Sequence, residues 1–414
     1  MTPASADNAT VARARLSTYV FFVLAGVGFS TWASRIPDAK AHLGLGAGEL
    51  GATLFALSVG SVLALPLTGR IVERFGVQRV IGAGVIVGAF GTVAAGLAVD
   101  LLGSRAALMV ALFVLGLGIG SWDVAMNIEA TDVERHLGRA IMPHFHAAFS
   151  AGTVVTALIG SALSWATVPI MIHLALSAAL VLGVGLWAVR GTLPHESTAA
   201  GAAAAHKAAT GERSRSAWLE PRTLVIGFVV LVAAFTEGTA NDWLAVAFHE
   251  GHHLPTWAGV LAFATFLASM TAGRIVGTGL LDRYGRVLVL RVCFTLALLG
   301  SALVILGNAP LAFAGAAIWG VGASLGFPVG MSASADDQRR AAARMSVIST
   351  IGYAAFLAGP PLLGFLGDHV GVLRSLTVVG AGALLALVLV PAVREPAKPA
   401  ASQTLPSGPS VPAS

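Results

Sequence analysis

Charge is what this 414-residue chain has least of. Asp, Glu, Lys and Arg together supply 11% of it, where a soluble domain carries about 25%. That shortage excludes an ordinary water-soluble globule. Cysteine is almost absent too: the single Cys293 excludes an intramolecular disulfide, and its place inside an apolar run gives no ground for a redox role. What fills the chain is hydrophobic residue, 56% of the total, with a mean hydropathy of +0.82. Apolar runs near the ~20 residues that a helix needs to cross the hydrocarbon recur along the whole length, which predicts an integral membrane protein.

Twelve such runs are predicted, at about 16–34, 48–68, 80–101, 106–127, 145–165, 168–189, 223–247, 256–276, 287–306, 310–331, 345–366 and 371–392. The first follows Arg13 and Arg15 but is too long for the apolar part of a secretory signal, and eleven similar runs come after it. It is therefore expected to stay as a helix. If both termini are cytoplasmic, all but four of the 25 Lys and Arg residues fall in cytoplasmic segments; the exceptions are Arg35, Lys40, Arg105 and Arg374. This positive-inside bias sets the expected orientation. It also accounts for the sequence pI of about 10.0 without a nucleic-acid partner. The polar stretch 190–221 reads as a cytoplasmic linker between a six-helix bundle at 1–189 and another at 222–394. The Pro, Ala and Ser-rich tail 395–414 is expected to be disordered and cytoplasmic.

The two halves echo each other. "GRIVERFGVQR" (Gly69 to Arg79) follows the second run and "GTGLLDRYGRVLVLR" (Gly277 to Arg291) the eighth, so that Glu73 and Asp282 stand 209 residues apart, each followed by Arg, an aromatic residue and Gly. Trp32 and Trp243 stand 211 apart. A duplication explains both spacings, and such repeats are common in secondary transporters, with the substrate site between the repeats.

These features resemble the major facilitator superfamily, whose hallmark between its second and third helices is close to Gly-x-x-x-Asp-Arg-x-Gly-Arg. Gly69, Arg74, Gly76 and Arg79 match in the first copy, with Glu73 in place of Asp and Val77 and Gln78 interrupting the basic run; Asp282, Arg283, Gly285 and Arg286 match in the second, with Thr278 in place of Gly. The resemblance covers about residues 13–394. It implies an all-α membrane protein of twelve transmembrane helices in two pseudo-symmetric six-helix bundles, with the motif acting as a cytoplasmic gate latch. "TWASRIPDAK", "WDVAMN", "GRAIMPHFHAAFSAG" and "EGTANDW" are similar to the bacterial YbjJ-type branch, near the fucose-permease-like proton symporters. The Gly-Pro signature of drug antiporters is missing from the fifth run.

Glu237 lies near the middle of the seventh run, where an ionised carboxylate costs ~2.5 kcal/mol or more. It has to be neutral, paired or wet, and it is the first candidate for proton coupling; the plainer reading is a structural hydrogen bond to another helix. Asn241, four residues on, shares its face, while Asp242 and Trp243 sit further outward as cavity candidates. Asp123 and Asn127 repeat the acid-then-amide spacing in the fourth run, so Asp123 is the second proton candidate, against pairing or helix capping. His146, beside His144 at the cytoplasmic mouth of the fifth run, is the third. Trp32 and Arg35 at the outer end of the first run are cavity candidates or, equally, an interfacial anchor and a snorkelling arginine.

"HEGHH" (His249 to His253) fits a zinc-protease pattern, but Gly251 and Pro255 place it in a short external loop, where coincidence is the expectation. The glycine runs 116–120 and 320–326 follow no strand and read as close-packing surfaces, not nucleotide loops. The residues thus predict no metal, no cofactor and no enzyme. Together with the resemblance they imply a monomeric secondary transporter of the cytoplasmic membrane that moves a small polar, sugar-like solute with protons by alternating access. The rivals are proton-driven efflux of lipophilic or toxic compounds and, remotely, an intramembrane metalloprotease.

Overall fold

The computed structural model describes residues 8–138, 141–193, 216–337 and 340–395, and it is all helical there. Most of the expected linker and nearly all of the expected tail lie outside the described residues. The first half holds α1 (Asn8–Ala33), the short α2 (Ile36–Leu43), α3 (Ala47–Phe75), α4 (Val77–Asp100), α5 (Arg105–Leu137), α6 (Met142–Trp165) and α7 (Ile170–Val189). The second half holds α8 (Pro221–Gly251), α9 (Thr256–Leu306), α10 (Ala309–Ser334), α11 (Ala341–Val370) and α12 (Val372–Val393). Among the described residues eleven helices are long and apolar enough to cross a membrane.

Twelve crossings come from these eleven because α9, 51 residues long, is two arms. Its backbone leaves the helix at Gly285 (φ 76°, ψ 165°), as the chain does at Gly76 (φ 85°, ψ 151°) between α3 and α4. Positive φ is a conformation that glycine adopts without steric cost. The duplicated motif therefore builds the same turn in each half.

Apolar side chains such as Phe90, Val110, Leu176, Ile275 and Val388 face outward, which suits lipid and not water. Inside, helices approach closely at glycine. A Cβ on Gly116 would lie 2.1 Å from the Leu57 carbonyl oxygen, and one on Gly320 would lie 2.3 Å from that of Phe266. Both glycine runs are thus packing surfaces, as expected.

Successive crossings alternate sides, so the turns at Gly76, Gly138 and Gly285 share one face, here the motif face, and those at Gly44, Gly103, Thr167 and Gly371 share the opposite face. The halves join through α3 against α11 and α6 against the first arm of α9. The apolar core reflects this. One cluster runs through both halves, from Trp32, Leu50 and Leu112 to Trp243, Phe266 and Trp319. A second, around Phe21, Phe22, Trp122 and Phe145, belongs to the first half alone.

Several boundaries differ from expectation. α1 starts at Asn8 and α5 runs ten residues past Asn127, to Leu137, because their polar flanking residues keep helical hydrogen bonding beyond the apolar run. α8 likewise continues through His249 and Glu250 to Gly251, so "HEGHH" begins in helix and not in a loop. The first arm of α9 carries Arg274 well inside it instead of leaving it in a loop.

Candidate functional site

Polar contacts between the halves gather at the opposite face. Lys40 pairs with Glu250. Gly48 N–H donates to Asp368 Oδ1 at 2.9 Å, Ser161 Oγ donates to the Trp257 carbonyl at 2.8 Å, and the Ser164 and Thr256 hydroxyls lie 3.1 Å apart. At the motif face the expected gate residues Glu73, Arg74, Arg79, Asp282 and Arg283 are exposed. Arg74 lies over the ring of Phe75 and Arg283 over that of Tyr284. Arg286 bonds Asp336 at 2.7 Å, within its own half. The seam is thus closed at one face, and the expected gate network is not formed in this conformation.

Along the seam the sequence builds an irregular helix. α8 widens into a π-turn at Ala240–Leu244, a local form frequent at functional sites. Buried polar atoms without hydrogen-bond partners concentrate there: Thr236 Oγ1, Thr239 Oγ1, Asn241 Oδ1 and Trp243 Nε1. Just before the turn, Glu237 Oε2 accepts from Arg274 Nη2 at 2.9 Å. With side-chain exposures of 20% for Glu237 and 32% for Arg274, the pair is wetted and not locked in dry packing. Arg274 Nε reaches the Ser324 carbonyl at 3.3 Å, where α10 is itself interrupted between Ala323 and Gly326.

The first half faces this with regular helices. Asn127 Nδ2 donates to the Asp123 carbonyl at 2.8 Å and lies 3.4 Å from Asp123 Oδ1, so the spacing of four does bring acid and amide together. Tyr353 of α11 lies within electrostatic reach of Asp123, and Arg274 within reach of His146. His146 is exposed and meets the edge of Phe22 at 5.1 Å. Beneath the closed face a cavity of about 30 Å³ is lined by Phe29 and Trp32 of α1, Ser58 of α3, Ile119 of α5 and Asp242 of α8 among others. Trp32 and Asp242 thus come together from opposite halves.

The other four expected cavity residues, Arg35, Asn127, Asn241 and Trp243, do not line it. Arg35 is 2% exposed because its Nε donates to His173 Nδ1 at 2.9 Å and its Nη1 pairs with Asp38 at 2.8 Å. It braces α1 against α7. Trp243 is fully buried in the shared apolar cluster. Two of the three histidines of "HEGHH" bond carbonyls, His249 to Leu254 and His252 to Val304, and no group of metal-ligating side chains occurs among the described residues. Arg274, the partner of Glu237, was not foreseen as a site residue. Its signal is an isolated charge in an otherwise apolar stretch, Val260 to Leu281.

Residues 18–310 and 258–413 match the Major Facilitator Superfamily. The chain belongs to that superfamily. It is 34% identical to an uncharacterized MFS-type transporter of Yersinia pestis over 92% of this chain and 95% of that one. It is 31% identical to an uncharacterized transporter of Sinorhizobium fredii (strain NBRC 101917 / NGR234) over 90% and 96%. Among solved structures, a bacterial homologue of the human lysosomal transporter Spinster, inward-facing and unoccupied, superposes with a TM-score of 0.74 at 15% identity, covering 94% of this chain and 98% of that one. The nucleoside transporter NupG gives 0.67 at 16% identity, covering 92% and 98%. Both speak to the fold. This superfamily member is a multi-pass membrane transporter and not an enzyme.

Proposed function

We propose that the chain is a secondary active transporter that carries a small polar, sugar-like solute with a proton, exposing its site to each side of the membrane in turn. The observation behind this reading is the Glu237–Arg274 pair, wetted and set beside a widened turn on the seam between the halves. While Glu237 is ionised it occupies one amino group of Arg274. A proton reaching Glu237 releases that guanidinium to hold solute oxygens, so protonation and solute affinity are linked. Asp123 with Asn127, and His146 near Arg274, supply further polar groups from the first half. Asp242 and Trp32 close the outer end. With the basic motif face toward the cytoplasm, the conformation is inward-facing, in the cytoplasmic membrane, and a monomer holds the complete site. The YbjJ-type branch near the fucose-permease-like symporters fits this reading.

A proton entering down 100 mV supplies about 2.3 kcal/mol, enough for about 40-fold accumulation of a neutral solute. Labelled hexoses, polyols and nucleosides, tested in proteoliposomes under an imposed proton gradient, identify the solute. For that solute Glu237→Gln is expected to retain exchange and lose accumulation. Undiminished proton-driven accumulation in Glu237→Gln would sink the reading.

A further inference from the structure

The chain uses the loop of the duplicated motif more often than the two copies suggest. Gly371 (φ 83°, ψ 150°) turns the backbone as Gly76 and Gly285 do. Before it stand Gly364 and Asp368, at the same spacing as Gly69, Glu73 and Gly76. A fourth turn keeps the residue spacing with Gly160, Ser164 and Thr167 but not the backbone, since Thr167 lies at φ 54° and the Val168 N–H bonds back to the Leu163 carbonyl at 2.9 Å. These two further turns lie on the opposite face.

Each of them grips the start of a helix in the other half. Asp368 Oδ1 accepts from the N–H of Gly48, the second residue of α3. A helix start offers unpaired N–H groups and a positive dipole end, and both favour a carboxylate. The approach depends on small residues, since a Cβ on Gly51 would lie 2.4 Å from the Pro360 carbonyl oxygen. Ser164 meets Thr256, the first residue of α9, and also donates to Asp38 Oδ1 at 3.0 Å. The packing is reciprocal because α3 and α11 run antiparallel, as do α6 and the first arm of α9. The end of α11 therefore holds the start of α3, while Glu73, at the end of α3, lies on the side where α11 starts. That relation is open here. The start of α6 is instead held by an acid of its own half, for Glu134 Oε2 accepts from the N–H groups of Ile141 and Met142 at 2.7 Å each.

We propose that Asp368, supported by Ser164, is a latch of the opposite face, engaged only while that face is closed and released when the motif face closes. The proposal rests on the alternating-access reading above. Spin labels at Leu102→Cys and Leu306→Cys, both strongly exposed on the opposite face in different halves, report its opening in the full chain with Cys293→Ser, reconstituted in nanodiscs. Asp368→Ala is expected to raise the ratio of separated to closed distances about tenfold. Gly48→Ala leaves the acid in place but sets a Cβ 2.2 Å from Asp368 Oδ2, and it is expected to shift the ratio the same way. Glu73→Gln with Asp282→Asn is expected to shift it in reverse, a sign that loss of general packing does not produce. If the wild type samples both distances and neither opposite-face variant shifts them while both stay folded, the latch is overturned and alternation stands. If the labels never separate in any variant, both fail.

Discussion

The two faces of the seam hold the same kind of turn in opposite states. At the motif face, Glu73 and Asp282 stand exposed beside arginines that rest on their own neighbouring rings. At the opposite face, Asp368 and Ser164 are engaged with helix starts of the other half, and Lys40 reaches Glu250. One turn geometry thus serves as a bond in one place and a solvated loop in the other. What differs is whether a helix start from the other half lies within reach. The proposed latch thus acts on helix starts that the packing of the two halves already brings within reach.

The strongest way to break the comparison is to make the closed face permanent. The Ser164 and Thr256 hydroxyl oxygens are 3.1 Å apart, so Ser164→Cys with Thr256→Cys places two thiols where a disulfide can form with small adjustment. Oxidation is expected to abolish transport and reduction to restore it, measured as solute flux in proteoliposomes. Unchanged flux in the oxidised protein would mean that this face never opens. A smaller effect is expected at Lys40–Glu250, where Glu250 is 36% exposed and the pair is worth little more than a surface ion pair. Lys40→Ala is expected to favour opening about threefold, read from the same spin-label distances, and the charge swap Lys40→Glu with Glu250→Lys to recover most of it.

The smallest effect belongs to contacts that stay within one half. Glu220, ahead of α8, binds Arg344 at 2.7 Å and also pairs with Arg340. Burial raises its carboxyl, but the Thr223 hydroxyl and the guanidiniums of Arg344 and Arg340 outweigh it and hold it below the ordinary value of 4.5. An acid so depressed stabilises the folded state above its unfolded value, and the contribution disappears as pH falls through the folded value. Wild type is therefore expected to melt about 2 °C above Glu220→Gln at pH 7, with the difference vanishing as the pH is lowered past 4.5. The spin-label distances should not move with this substitution.

Much of the architecture was legible in the residues because hydropathy acts over twenty positions at a time. The crossings, the duplicated turns and the shared face of Asp123 and Asn127 all follow from such spacing. Glu237 had to be neutral, paired or wet on energetic grounds, and it is both paired and partly exposed. Its identity was not legible, because Arg274 near the end of an apolar run looks like a loop charge until the helix is seen to pass it. Arg35 and Trp243 were misplaced for a related reason. Periodicity places a residue on a face only while the helix is regular and unopposed, and α8 widens at Ala240–Leu244 while α1 ends against His173. Asp368 escaped notice because His369 stands where the motif has arginine, which hides a turn that the backbone keeps.

The corner at Gly285 also bears on how the second half travels. A single residue stands out of line between two long rods, with a matching corner at Gly76, so each joint is one glycine long. In the proposed cycle, the first rod, which carries Arg274 and leans on α6, connects to the second through that one residue. Glu237 and Arg274 both stand in the second half, so in the proposed cycle the carboxylate–guanidinium pair travels with that half instead of bridging the moving seam.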